Sequence, residues 1–341
     1  MLHIGITMGC PVGIGPEIIL KYFAGKTNYQ DFVPVVLGDI NVLERCRREL
    51  KIDTMCSTWH PGDPIPVDRM PVMAVSSLDA DSLQWGRPNQ ETGRAMADYI
   101  KTAVSLIQNG MLDGMATCPI SKKALHEAGY TFPGHTEMLA HLTGSPQPVM
   151  MMAGPRLRVT LVTIHCPLAA VPAQINQASV LRLIRVTHQA LITDFSIKNP
   201  RIAVAGLNPH GGEQGLFGNE EELLIAPAIE MARREGIEAQ GPFPPDSVFL
   251  KAAAGDYDAV VCMYHDQGLI PFKLLHFSDG VNVTLGLSVV RTSVDHGTAY
   301  DIAGRGIADP QSLAASVELA GTIARNRRQN AARLRLIHSL C

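Results

Sequence analysis

The chain opens Leu2-His3-Ile4-Gly5-Ile6-Thr7-Met8-Gly9-Cys10-Pro11-Val12-Gly13-Ile14-Gly15-Pro16-Glu17-Ile18-Ile19-Leu20-Lys21-Tyr22-Phe23. Residues 2–7 form a short, mostly apolar run of strand character, and 16–23 carry the apolar spacing of a helix with proline in its first turn. Glycines 9, 13 and 15 separate the two. Strand, glycine loop and helix in that order are the first half of a βαβ unit. The alternation recurs along the chain. Further strands are expected at 33–37, 72–75, 114–117, 158–164, 201–205, 259–263 and 281–285, and further helices at 90–108, 179–193, 220–235, 247–254 and 311–327. Glu220, Glu221 and Glu222 at the head of the 220–235 helix and Arg233 and Arg234 near its foot complement its dipole, and Gly236 stops it. The expected fold is α/β, built as two α/β/α lobes with a cleft between them, residues 1–130 plus 275–341 forming one lobe and 131–274 the other.

Composition narrows the class of function. The 341 residues are 46% hydrophobic, 18% charged and 5% aromatic, with 30 glycines and 23 prolines, as suits an aliphatic, turn-rich enzyme. A net charge of −3 without any basic block argues against a nucleic-acid surface. No apolar stretch approaches the roughly 20 residues that span a bilayer. The first residues lack the positive region of a signal peptide. Seven scattered cysteines without a C-x-x-C pair fit a reducing cytoplasm.

Of twelve histidines, seven lie in contexts without polar company and read as structural. Five stand apart: His135 in Pro-Gly-His-Thr-Glu, His165, His210 in Asn-Pro-His-Gly-Gly-Glu, His265 in Tyr-His-Asp-Gln-Gly, and His296 in Val-Asp-His-Gly-Thr. His165, His210 and His265 each follow an expected strand at its carboxyl end, where α/β folds gather their sites. Three imidazoles converging there hold a divalent catalytic metal and leave room for substrate. A strand-end histidine that only caps its loop is the alternative for each taken singly. Histidine favours Zn²⁺, with Co²⁺, Mn²⁺ or Mg²⁺ open where substrate oxygens complete the sphere. Lys273, Arg291 and Asn282 crowd the same strand ends and suit a phosphate or carboxylate. The Gly9–Gly15 loop offers backbone N–H groups to an anion, less two removed by Pro11 and Pro16, and is a weak dinucleotide fingerprint. No Walker loop, G-x-S-x-G elbow or H-E-x-x-H is present.

Two segments resemble the isocitrate/isopropylmalate dehydrogenase superfamily: the opening Gly9–Glu17 and the run His296-Gly297-Thr298-Ala299-Tyr300-Asp301-Ile302-Ala303-Gly304-Arg305-Gly306-Ile307-Ala308-Asp309-Pro310. Four more narrow the likeness: Pro133–Glu137, Gly206–Glu213, Tyr264–Lys273 and Arg291–Thr298 are similar to the 4-hydroxythreonine-4-phosphate dehydrogenase (PdxA) family. That resemblance implies an isopropylmalate dehydrogenase-like fold. It also implies an NAD- or NADP-dependent oxidation of 4-phosphooxy-L-threonine to a β-keto acid, which decarboxylates to 3-amino-2-oxopropyl phosphate in vitamin B6 biosynthesis. It puts one divalent ion (Zn²⁺, Mg²⁺ or Co²⁺) on His165, His210 and His265, substrate on His135, Thr136, Lys273, Asn282 and Arg291, and the adenosine half of the cofactor against His296, Gly297, Thr298, Ala299 and Asp301. It implies a homodimer with the site at the subunit interface, so that one chain need not supply all three histidines. Lys273 is the first candidate base and Asp246 the second; Asp266 and Glu213 are candidates to orient a metal-binding histidine. The family's usual Gly-Asp-Pro-Ala-Gly stands here as Gly9-Cys10-Pro11-Val12-Gly13, which changes the shape and charge of that loop. A paralogue acting on 4-phospho-D-threonate or 4-phospho-D-erythronate shares the same motifs. A metal-dependent hydrolase or aldolase without nucleotide is the alternative from another class.

Overall fold

A parallel sheet needs crossover helices, and the apolar runs here are spaced to supply them. The computed structural model describes residues 1–24, 31–66 and 68–340. Twelve strands are present among the described residues: β1 (Leu2–Thr7), β2 (Phe32–Gly38), β3 (Cys56–Thr58), β4 (Met70–Ala74), β5 (Gly114–Thr117), β6 (Val149–Ala153), β7 (Arg158–Leu161), β8 (Ile202–Ala205), β9 (Ala239–Phe243), β10 (Ala259–Cys262), β11 (Val281–Leu285) and β12 (Arg291–Val294). The chain divides into two compact units, 1–148 with 287–325 and 149–286 with 326–341. The sequence reading drew the boundaries at 130/131 and 274/275.

In the first unit the strands run β3-β4-β2-β1-β5-β12, with every pairing parallel. β1 and β2 are buried almost throughout, as strands covered on both faces must be. The chain leaves β1 toward β2 on one side. After β4 it returns along the helix Gln90–Gln108, capped by the reciprocal Asn89 and Thr92 bonds, to pair β5 on β1's other flank. This reversal makes the carboxyl ends of β1 and β5 a topological switch point, where ligands bind in open α/β sheets. Two glycines let the loop after β1 fit there. Gly9 has φ +69° and a side chain on it would meet the Pro119 carbonyl oxygen; one on Gly15 would lie 2.1 Å from the Met8 carbonyl oxygen.

In the second unit the order is β11-β6-β7-β10-β8-β9. β7, β10, β8 and β9 are parallel, while β6 runs antiparallel to both β7 and β11. Its core gathers Val159, Leu161, Ala203, Val260, Leu269 and Phe272. Arg291, which follows β11 in the chain, begins a strand of its own that was not expected, β12. β3, β6 and β9 were not expected either. The 220–235 helix starts as a π-helical turn, Glu221–Ile225, before the α-helix Ala226–Arg234. Pro227 has no N–H to continue an α ladder, and Glu221 is drawn away to a neighbouring loop. The terminal helix extends past 327 to Leu340. There Arg327 grips the buried Asp194 carboxylate through Nε and Nη2 at 2.7 and 2.8 Å, and Asn330 bonds the Thr193 carbonyl.

Candidate active site

The first unit carries His135, Thr136 and Arg291. His135 and Thr136 open the helix His135–Thr143 behind Gly134. The His135 Nε2 is buried without a hydrogen-bond partner. Burial first, and then the nearby Arg291 charge, holds its pKa well below the usual histidine value, so the ring is neutral at pH 7. Arg291 is buried, and burial lowers its guanidinium to about 10, the Glu137 carboxylate partly opposing this. Its Nε and Nη2 donate to Thr117 Oγ1 at 3.2 and 2.9 Å, at the carboxyl end of β5. A buried cation beside a neutral imidazole with an unspent nitrogen is suited to an anionic ligand group. Thr117 was not foreseen; the switch-point rule, applied to β5, is the signal that would have found it.

The segment after β12 lies in the same unit. His296 Nε2 is also buried and partnerless, while its Nδ1 faces the Gly297 carbonyl. Ala299 holds φ +42°, a left-handed conformation that non-glycine residues avoid. Space beyond Gly297 is open, and Asp301 is exposed. Thr298 accepts the Ile14 N–H. The opening loop, expected to cradle an anion, spends the Cys10, Gly13 and Ile14 amides on the Pro119, Cys10 and Thr298 carbonyls. Cys10 is fully buried and accepts a bond from the Tyr300 hydroxyl, and burial raises its thiol pKa. Asp39 at the end of β2, the usual place for an acid that binds ribose, is buried. It accepts bonds from Asn41, Val42 and Leu78 amides and from the Ser76 hydroxyl, which commits it to capping.

In the second unit the three strand-end histidines follow β7, β8 and β10, which are neighbours in the order β7-β10-β8. The His165 and His265 rings approach to 5.7 Å between centroids. His265 is the first residue of the helix His265–Leu275, and its Nδ1 meets Asp266 at 2.7 Å. That contact orients the ring and leaves Nε2 as the nitrogen that could hold a metal. His210 is not brought to the pair. It sits against Phe217 at 6.2 Å, on a turn whose residues His210–Gln214 all have φ between 45° and 82°. Among the described residues no three His, Cys, Asp or Glu side chains of one chain form a metal cage. Glu213 is exposed on that strained turn. Glu221 steadies the strand end instead: its buried carboxylate accepts the Leu207 and Asn208 amides, both at 2.7 Å, and the Asn208 side chain at 2.9 Å. Sequence reading gave Glu221 to the helix dipole and missed this role.

Lys273 is half-buried two turns along the helix from His265; Asn282 is half-buried on β11, opposite Met152. Asp246 is exposed in the turn before the helix Val248–Ala253. Among the described residues no helix is long and apolar enough to cross a membrane.

The sequence model of the family described as pyridoxal phosphate biosynthetic protein PdxA matches residues 30–320. A 4-hydroxythreonine-4-phosphate dehydrogenase of Desulforapulum autotrophicum is 55% identical over 319 residues, 93% of this chain and 94% of its own. A D-threonate 4-phosphate dehydrogenase of Cupriavidus necator is 43% identical, covering 95% of this chain and 98% of its own. The crystal structure of the Klebsiella pneumoniae 4-hydroxythreonine-4-phosphate dehydrogenase superposes with a TM-score of 0.87 at 42% identity, over 95% of this chain and 98% of that one. The α/β architecture is thus that of these enzymes, and the chain belongs to the PdxA family of oxidoreductases.

Proposed function

We propose that the chain oxidises 4-hydroxythreonine 4-phosphate at C3, with NAD or NADP accepting the hydride, and that the resulting β-keto acid loses CO₂ to give 3-amino-2-oxopropyl phosphate, in pyridoxine 5′-phosphate biosynthesis. The observation that carries this reading is the pair of imidazoles His165 and His265 at adjacent parallel strand ends, one of them oriented by Asp266. Two such nitrogens fit a divalent ion, and imidazole donors suit zinc or cobalt better than magnesium. Such an ion, when bound, supplies Lewis acidity toward the substrate's hydroxyl and carboxylate oxygens. His210 is the third ligand, supplied across a homodimer. Exposed Leu216, Phe217, Ile270, Leu274 and Phe277 in the second unit support that dimer, because so much apolar surface beside the site is costly to leave in water.

The remaining roles follow from charge and position. His135, Thr136 and Arg291 hold the phosphate, Asn282 and Lys273 the rest of the substrate. Lys273 takes the hydroxyl proton as the hydride leaves C3, with Asp246 the second candidate. Asp266 acts through His265. His296, Gly297, Thr298, Ala299 and Asp301 receive the adenosine half of the nucleotide, which the partnerless His296 nitrogen and the strained Ala299 support. The first unit is then the cofactor side and the second the metal and dimer side. The free thiols Cys10, Cys46, Cys56, Cys118, Cys166 and Cys262 support a cytoplasmic setting.

A second reading, oxidation of 4-phospho-D-threonate, is supported by the relative that bears that activity in its name. Reduced nicotinamide is measured with each phosphorylated acid, with and without a chelator. Chelator-sensitive turnover that prefers the amino acid is expected. Preference for the threonate moves the substrate, and turnover indifferent to chelation ends the metal assignment.

A further inference from the structure

The opening motif ends in a charged pair that is not an anion site. Glu17 is almost wholly buried, and Lys21, one turn on, meets its carboxylate at 2.9 Å. The pair faces residues 306–308, a stretch with no helix or strand ladder of its own. Glu17 accepts the Gly306 amide at 3.2 Å and the Ala308 amide at 2.7 Å. Lys21 donates to the Gly306 carbonyl at 2.9 Å and the Ala308 carbonyl at 2.7 Å. Both backbone groups of two residues are therefore held by one ion pair. Trp85 closes the other side: a side chain on Gly304 would lie 2.5 Å from its ring, and the ring's N–H is held by Glu49 at 2.7 Å.

We infer that Glu17 and Lys21 are positioning residues for the 296–308 segment and so set nucleotide affinity. The inference rests on reading that segment as the nucleotide site. Irregular backbone that must keep a left-handed Ala299 and a buried, unbonded His296 nitrogen needs an external frame, and the pair supplies it. None of the four bonds that make this frame involves His135 or Arg291, so the two affinities should separate.

The test is Lys21→Met in the full chain, with Lys21→Arg as the conservative control. NAD⁺ and NADP⁺ are titrated against the protein without substrate, followed by calorimetry, and KM values are taken for nucleotide and phosphorylated substrate. Loss of the two donors should weaken nucleotide binding about tenfold or more, with substrate KM and saturated turnover within about twofold. Lys21→Arg should recover wild-type binding to within about threefold. Hydrogen exchange at the Gly306 and Ala308 amides should quicken in Lys21→Met, while β1 stays protected. Wild-type nucleotide affinity in a folded Lys21→Met overturns the inference, as does a folded Lys21→Arg that binds no better than the methionine variant. If Lys21→Met does not fold, Lys21→Gln, which keeps N–H donors but not the charge, takes its place with the same expected direction. A wild-type chain that binds neither nucleotide defeats instead the reading of the segment as a nucleotide site.

Discussion

Replacing Arg291 by methionine should separate a residue kept for its ligand from one kept for the fold. Its guanidinium is buried at the start of β12, and desolvation brings its pKa down from the ordinary arginine value to about 10. At about 1.4 kcal/mol for each tenfold change in proton affinity, keeping the charge there at pH 7 costs the folded chain about 3 kcal/mol. The Glu137 charge is already counted in that balance. Methionine of similar reach fills the space without the charge, at a packing cost below about 1.5 kcal/mol. Arg291→Met should therefore be as stable as wild type or up to about 2 kcal/mol more so. Meanwhile KM for the phosphorylated substrate should rise about tenfold to a hundredfold through loss of a charge-assisted contact. Urea unfolding midpoints and initial rates measure the two quantities. A variant that loses 2 kcal/mol or more of stability while keeping its KM refutes the reasoning, because the arginine would then be structural.

Three further outcomes follow from the same geometry. Asp266→Asn should weaken zinc or cobalt binding about tenfold to a hundredfold, since the His265 ring loses its orienting carboxylate; metal titration showing unchanged affinity removes that role. His135 is held neutral below its unfolded pKa of 6.5, so it contributes nothing to stability's pH dependence above that value. As pH falls through it, the unfolded chain takes up a proton that the native chain refuses, and stability drops by up to about 1.4 kcal/mol per pH unit. His135→Gln should flatten that slope in urea midpoints taken near pH 7 and pH 5, and an identical slope argues against it. Gly15→Ala should cost about 3 kcal/mol or more, because its Cβ would sit 2.1 Å from a backbone oxygen. Gly297→Ala, with open space, should cost less than about 1 kcal/mol of stability in the same unfolding assay.

What periodicity could show, it showed well. β1, β5 and β11 and the helix Gln90–Gln108 fall on the expected residues: β1 and β5 are short, mostly apolar runs covered on both faces, Val281-Asn282-Val283-Thr284-Leu285 alternates apolar and polar, and a long amphipathic helix repeats its face many times. β6 went unread because Val149-Met150-Met151-Met152-Ala153 has little β-branching, and β9 because it contains Gly241 and Pro242. The helix His265–Leu275 was hidden by Pro271 in its interior. The histidines at the ends of β7, β8 and β10 were legible because strand ends are where the fold leaves backbone free to carry chemistry. The distance of His210 from the other two was not legible, since it depends on five successive left-handed residues, only two of them glycine.

The buried charges explain why the rest could not be read by pattern. Glu17 and Glu221 are each buried, and each reaches a segment that lacks a regular hydrogen-bond ladder: residues 306–308 and residues 207–208. Strands and helices satisfy their backbone through repetition, which leaves a periodic trace in sequence. A site loop has no repetition, so its amides must be met one at a time by side chains from elsewhere in the fold. A carboxylate accepts several N–H groups at once and suits that task, at a desolvation cost that only a preorganised loop returns. In the sequence such a residue looks like an ordinary helix-start acid, as Glu17 and Glu221 both do. Its function depends on a partner 289 residues away in one case and 13 or 14 in the other, and no local pattern encodes either span.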